Sequence, residues 1–284
     1  VAPAGDGDAG LARQRVNGPD IRRAFADLSV GQVHYACAGE ASAPAVLFLH
    51  QTPRSWAEYR AVLPLVGRRY LAVAMDTVGF GDSAPAPWAP TIEHWASVAV
   101  ELLASLGIEK AHVVGHHTGG VIAVELAAAW PERVGSLVLS STPFTDAAFR
   151  AARATSKPID AVTRSGDGAH LLQMWRNRQG FYPADRADLL EAFVLDALKV
   201  RSDLEGGHRA VASYRMEERI GRIRQPVLLL RAPGDPFASP HAAELAAYLR
   251  DARIVDIEGG MVPLPDQLPD AFAEAILDFL DRLE

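Results

Sequence analysis

The sequence holds a single cysteine, Cys37, among 284 residues. A lone thiol excludes an intramolecular disulfide framework and cannot by itself make a zinc site. No apolar run approaches the ~18 residues of a membrane span. The opening VAPAGDGDAG lacks the apolar centre of a signal peptide. No membrane partner is therefore expected, and the expected location is cytoplasmic. Basic residues are in the minority, 28 Lys plus Arg against 35 Asp plus Glu, for a formal charge of −7. This balance argues against nucleic acid as a partner, because phosphate binding needs clustered Lys and Arg. No P-loop or dinucleotide fingerprint occurs; Gly79-Phe80-Gly81 is too short for G-x-G-x-x-G. Neither a cofactor nor a metal is expected.

What is present suits a large core. Hydrophobic residues make up 49% and charged residues 22%, ordinary for a globular protein. At roughly 150 residues per domain the length gives about two units, or one large α/β domain with an insertion. Residues 1–20 are rich in Ala, Gly and Asp without periodicity and are expected to form a flexible arm. Short apolar runs follow at Ala45–Leu49, Leu71–Met75, Ala111–Val114, Ser136–Leu139, Val227–Leu230 and Arg253–Ile257. Runs of this kind suit strands covered on both faces, hence a parallel sheet. Between them, Thr91–Leu106 and Val121–Trp130 have helical spacing, the first opened by a Thr cap. Leu28–Ala38 reads as a leading antiparallel hairpin. The alternation predicts a doubly wound α/β fold, with core segments 21–143 and 225–284.

Between 144 and 224 the alternation stops. The segment is helical in texture, over Ala169–Arg178, Arg186–Arg201 and Ala210–Arg219, and carries large residues such as Trp175, Phe181 and Tyr182. An insertion of this length reads as a helical lid over a small-molecule site, where those aromatics are either core or pocket lining. The sequence sets no oligomeric state.

After the run Ala111–Val114 comes Gly115-His116-His117-Thr118-Gly119-Gly120, then a helix. The pattern is similar to the nucleophile elbow of α/β-hydrolases, a sharp strand–turn–helix whose glycines let strand and helix approach closely. Four further motifs resemble that family in order: His50-Gln51-Thr52-Pro53, the loop Asp76–Ser83, Trp130-Pro131-Glu132-Arg133-Val134, and Arg231-Ala232-Pro233-Gly234-Asp235-Pro236. The resemblance runs from about Leu28 to the C-terminus and implies an α/β-hydrolase fold, a mostly parallel twisted sheet flanked by helices.

The resemblance also exposes a departure. The family places Ser, Asp or Cys at the elbow, where this chain has His117. The family's acid position is kept as Asp235, but its histidine position holds Met261. A Ser-His-Asp relay needs a hydroxyl, a base and an orienting carboxylate, and this chain lacks two of the three at those positions. One reading links the substitutions: His117 leans into the space Met261 leaves and is oriented by Asp235, acting as general base or nucleophile. The resemblance implies oxyanion donors at Thr118 and Thr52, with Gln51 beside them. His50 either ends a strand structurally or meets substrate, His116 supports the turn, and Met261 and Trp175 are expected on the pocket wall. Arg54 either meets an acidic substrate group or caps a surface. The function expected is cofactor-free turnover of a small, mainly apolar carbonyl compound such as an ester, lactone or β-dicarbonyl. Lyase, isomerase or cyclase chemistry and a non-catalytic ligand-binding role stand as alternatives.

Overall fold

The computed structural model describes residues 19–200 and 203–283. Most of the expected arm therefore lies outside the described residues. In chain order the elements begin with β1 (Arg22–Leu28), β2 (Gly31–Ala38), β3 (Ala45–Leu49), α1 (Val62–Val66), β4 (Leu71–Met75), α2 (Ile92–Ser105), β5 (Ala111–His116), α3 (Thr118–Ala129) and β6 (Val134–Ser140). Four helices follow: α4 (Ala147–Ala154), α5 (Ala169–Gln179), α6 (Ala187–Lys199) and α7 (Gly206–Ser213). The sheet then resumes with β7 (Val227–Arg231), α8 (Ala242–Tyr248), β8 (Ala252–Asp256), α9 (Leu264–Gln267) and α10 (Pro269–Leu280). The strands form one eight-stranded sheet of order β1-β2-β4-β3-β5-β6-β7-β8. Only the β1/β2 and β2/β4 pairings are antiparallel.

The apolar runs became strands because their alternate residues serve two cores. Leu47 and Leu49 of β3 point to the cluster shared with α2 and α3, while Val46 and Phe48 point to the cluster shared with α1 and α10. All five β3 residues are buried, each large one contributing about 1.5–3 kcal/mol. Thr91 caps α2 by accepting the His94 N–H. The edge strand β8 differs from the expectation of two-sided burial, with Arg253, Ile254 and Asp256 exposed at the sheet margin.

Among its described residues the chain between β6 and β7 holds helices joined by loops and no strand, with a cluster of its own around Met174, Leu190 and Phe193. One expected helix there is shorter than its pattern. Over Ala210–Arg219, α7 ends at Ser213 and only short 3-10 turns follow. The cause is a core carboxylate: Glu125 of α3 accepts hydrogen bonds from Tyr214 Oη at 2.7 Å and from Arg219 Nε at 2.8 Å. The segment is drawn flat onto α3, and Tyr214 becomes extended. Among the described residues no helix is long and apolar enough to cross a membrane.

Candidate active site

The site begins with a turn that β-strand and helix cannot make without strain. His117 joins β5 to α3 with φ 48° and ψ −111°, a conformation that costs a non-glycine residue about 1–3 kcal/mol. The turn is fastened on both sides. The His117 N–H donates to Ser140 O at 3.0 Å, and its carbonyl accepts from Gly120 and Val121 at 3.0 and 3.2 Å. Glycine is required at Gly119, where a Cβ would lie 1.8 Å from Leu49 O.

The turn sends the His117 ring toward Asp235. Asp235 follows β7 and is fully buried. Its Oδ1 accepts the Phe237 N–H at 2.9 Å, and its Oδ2 lies 2.7 Å from His117 Nε2. The ring N–H does not point along that line, so the close approach is not a formed hydrogen bond, and neither atom has a hydrogen-bond partner among the described residues. Burial works to raise the Asp235 pKa, but the charge of His117 and the Phe237 amide outweigh it and hold the carboxyl down at about 2. Met261, expected on the pocket wall, stands apart from this contact. Its N–H is tied to Gln267 Oε1 at 2.7 Å, its side chain packs against Gly234, and it does not line the cavity.

His116 points the other way. Its Nε2–H donates to Val262 O at 2.8 Å and its Nδ1 accepts from Ser140 Oγ at 2.9 Å. Burial, aided by the neighbouring charge of His117, pushes its pKa down to about 3, so the ring is neutral. His50 is likewise consumed by the scaffold. Its Nδ1–H donates to Gln51 O at 2.8 Å and its Nε2 accepts the Thr77 N–H at 2.9 Å. It is fully buried and absent from the cavity wall, so substrate contact at His50 is not what the geometry offers.

A cavity of about 680 Å³, its open mouth included, lies over His117, Thr118, Gln51 and Thr52. Thr118 opens α3, so its N–H belongs to the first turn and has no partner within the helix. The Thr52 N–H faces Thr118 Oγ1 at a long 3.4 Å, and the two hydroxyls meet at 3.0 Å. Gln51 lines the cavity, but its N–H and its side-chain amide both go to Glu58, at 3.0 and 2.5 Å. Its backbone donor is therefore spent.

Two further expectations are corrected. Trp175 faces an outer groove of the insertion beside Leu171, Leu172 and Val194, not the cavity. The α5 face that carries it packs along α6, which leaves Arg178 of the same helix on the cavity wall. Arg54 neither meets substrate nor caps a surface. It is buried, with Nε 2.9 Å from Asp196 Oδ2 and a terminal nitrogen 2.5 Å from Asp266 Oδ2. Sequence reading missed the wall residues Phe237, Arg153, Arg178 and His208. Phe237 had a signal, standing two residues after Asp235, whereas the other three lie in an insertion without a motif.

Comparison with known proteins agrees with this architecture. The sequence profile described as alpha/beta hydrolase fold matches residues 44–262. A Pseudomonas savastanoi pv. phaseolicola protein with the provisional name carbamate hydrolase RutD is 31% identical over 240 residues, covering 80% of this chain and 89% of the relative. The 2-hydroxy-6-oxononadienedioate/2-hydroxy-6-oxononatrienedioate hydrolase of Paraburkholderia xenovorans LB400 is 31% identical over 182 residues, 61% of this chain and 57% of that one. Among solved structures, a hydrolase from Pseudomonas aeruginosa PA01 superposes with a TM-score of 0.75 at 25% identity, covering 91% of this chain and 98% of the other.

Proposed function

From the premise that the chain belongs to the alpha/beta hydrolase fold family, we propose that it is a cofactor-free enzyme that hydrolyses a small carbonyl compound, an ester or lactone, with His117 as its general base. The observation that carries this reading is the 2.7 Å contact between His117 Nε2 and Asp235 Oδ2 beneath an open cavity. Relatives named as hydrolases support the reaction class.

The chemistry follows from the ring's two nitrogens. With the Nε2 edge of the ring against the Asp235 carboxylate, the carboxylate favours the tautomer that keeps the proton on Nε2, and Nδ1 then carries the lone pair. A water between Nδ1 and the substrate gives its proton to Nδ1, and its oxygen attacks the carbonyl carbon. The carbonyl π electrons move onto oxygen, where the Thr118 N–H meets the charge; one such donor contributes about 3 kcal/mol. Collapse expels the alkoxide, which takes the proton back from Nδ1. Ester plus water becomes acid plus alcohol, and the imidazole ends neutral. Asp235 favours the imidazolium that forms in between. The helices α4–α7 act as the lid that covers the site and limits water to the one that reacts.

Turnover of a panel of 4-nitrophenyl esters and lactones tests this. His117→Asn is the variant of choice, because Asn tolerates positive φ better than most residues. Loss of activity is expected, with a native circular-dichroism spectrum and a melting temperature lowered by the loss of Asp235's partner. Unchanged turnover removes His117 from the mechanism, and stabilisation by such compounds without turnover makes the protein a ligand carrier.

A further inference from the structure

Every titratable side chain on the cavity wall is basic: His117, Arg153, Arg178 and His208. The chain as a whole carries −7, so the wall is opposite in sign to the molecule around it. Three of the four come from the insertion between β6 and β7.

The insertion's three bases differ in how they are held. Arg178 is buried and grips Asp160 in a bidentate pair, 2.7 Å from Nε to Oδ1 and 2.5 Å from a terminal nitrogen to Oδ2. His208 Nε2 meets the same Oδ2 at 2.7 Å. Asp160 stands behind the wall; burial works to raise its pKa, but the charge of Arg178 and the His208 contact hold it well below the usual carboxylate range. The neighbouring Glu205 is turned away, its Oε1 accepting the N–H groups of Asp160 and Ala161. These acceptors are spent on protein donors, which leaves little for a bound cation. Asp160 thus cancels one positive charge while fixing Arg178 and His208 in place. Arg153, half-buried on α4, has no ion-pair partner among the described residues. The wall is anchored to the turn below it: a Cβ on Gly207, next to His208, would lie 2.4 Å from Thr52 Cγ2.

An unpaired guanidinium on the same wall as a clamped Arg and His, with no described carboxylate on that wall, complements an anion. We propose that this wall is a carboxylate subsite: the substrate turned over at His117 bears a carboxylate, which Arg153, with Arg178 and His208 beside it, holds while the carbonyl lies at Thr118. Arg153 is the one guanidinium on the wall without a carboxylate partner among the described residues and balances a monoanion, whereas a phosphate dianion calls for a second such guanidinium, and Arg178 is already matched by Asp160. The substrate assignment rests on the hydrolytic reading of His117; the anion preference does not.

Two measurements keep these apart. In the first, the monoanion butyrate and its uncharged counterpart butyramide are compared as stabilisers of the whole protein in thermal melts, with inorganic phosphate as a third arm. Butyrate alone is expected to raise the melting temperature, in the native protein and in His117→Asn, and to lose its effect in Arg153→Gln. Equal shifts with butyramide, an undiminished shift in Arg153→Gln, or stabilisation by phosphate alone would overturn the subsite. In the second, 4-nitrophenyl hemisuccinate is set against 4-nitrophenyl butyrate. A kcat/KM ratio of about tenfold or more for the anionic ester is expected, collapsing toward one in Arg153→Gln mainly through KM. A ratio near one in the native protein overturns the substrate assignment even if both esters are hydrolysed. If neither ester is hydrolysed, the hydrolytic reading fails and the first measurement still decides the subsite. Arg153 is half-exposed and unpaired, so its replacement leaves the fold intact, which an unchanged melting temperature without ligand verifies.

Discussion

Glu58 holds Gln51 at two points, accepting its backbone N–H on Oε2 at 3.0 Å and its side-chain amide on Oε1 at 2.5 Å. The carboxyl is fully buried, and burial raises its pKa to about 7 against the opposing pull of Arg54. Arg54 is already matched by Asp196 and Asp266, and its remaining terminal nitrogen lies 4.0 Å from Glu58 Oε1. Three carboxylates around one guanidinium favour keeping a proton on one of them. The network joins α6 of the insertion to the turn that floors the cavity.

That proton has a measurable consequence. Between about pH 4.3, where an unfolded Glu titrates, and about 7, the native Glu58 keeps a proton that the unfolded chain has lost. Stability therefore falls as pH rises through this window. In Glu58→Gln this titration is gone. The melting temperature of the variant relative to the native protein should rise from pH 5 to about pH 7 and level off above it. A flat difference would mean that Glu58 is ionised throughout.

Gly119 makes a sharper prediction. A Cβ there would sit 1.8 Å from the backbone oxygen of Leu49, and neither β3 nor α3 can retreat without opening the core between them. Gly119→Ala should abolish soluble, folded protein. Gly221, with open space around its Cβ position and no positive φ, is the matched control, and Gly221→Ala should melt within about 2 °C of the native protein. Circular-dichroism melts of the two variants decide the point.

What could be read in the sequence divides along physical lines. β3 and β4 match their apolar runs at both ends, because a short run buried on both faces stops where polarity returns. The approach of His117 to Asp235 was also legible, through two positions in ordered motifs and the missing imidazole at Met261. Pairings between distant parts of the chain were not. The acids that surround Arg54 lie 142 and 212 residues further on, and no local pattern announces them. The same holds for Asp160, whose partners Arg178 and His208 follow by 18 and 48 residues. Trp175 and Arg178 share one helix yet face different cavities, a matter of how α5 is turned against α6.

His116 should behave as a scaffold residue with a pH signature of its own. Its pKa of about 3 lies below the ~6.5 of an unfolded histidine. The unfolded chain gains a proton as pH falls below 6.5 and the native ring does not, so stability is lost in that direction, down to about pH 3. His116→Phe removes this slope but orphans Val262 O and Ser140 Oγ, at about 1–3 kcal/mol each. Urea unfolding at pH 8 should show the variant weaker by about 2–6 kcal/mol, with the gap narrowing toward pH 5.

Asp235→Asn separates orientation from bulk. The amide has nearly the shape of the carboxyl, so its oxygen can still accept the Phe237 N–H that Asp235 Oδ1 accepts at 2.9 Å. It cannot offset an imidazolium at His117, and its NH2 group can turn toward Nε2 and stabilise the tautomer that puts the proton on Nδ1. A base whose lone pair is occupied takes no proton from water. A fall in kcat/KM of about 10²–10⁴-fold is expected, the scale seen when an orienting carboxylate is neutralised. Stability moves in a separate window. The native Asp235 pKa of about 2 lies below the unfolded ~3.9, so its contribution is full above pH 4 and lost as pH falls toward 2. The variant should therefore melt lower than the native protein at pH 7, with the difference shrinking as pH drops below 4. Loss of activity without that convergence would mean that His117 and Asp235 are partners in chemistry only.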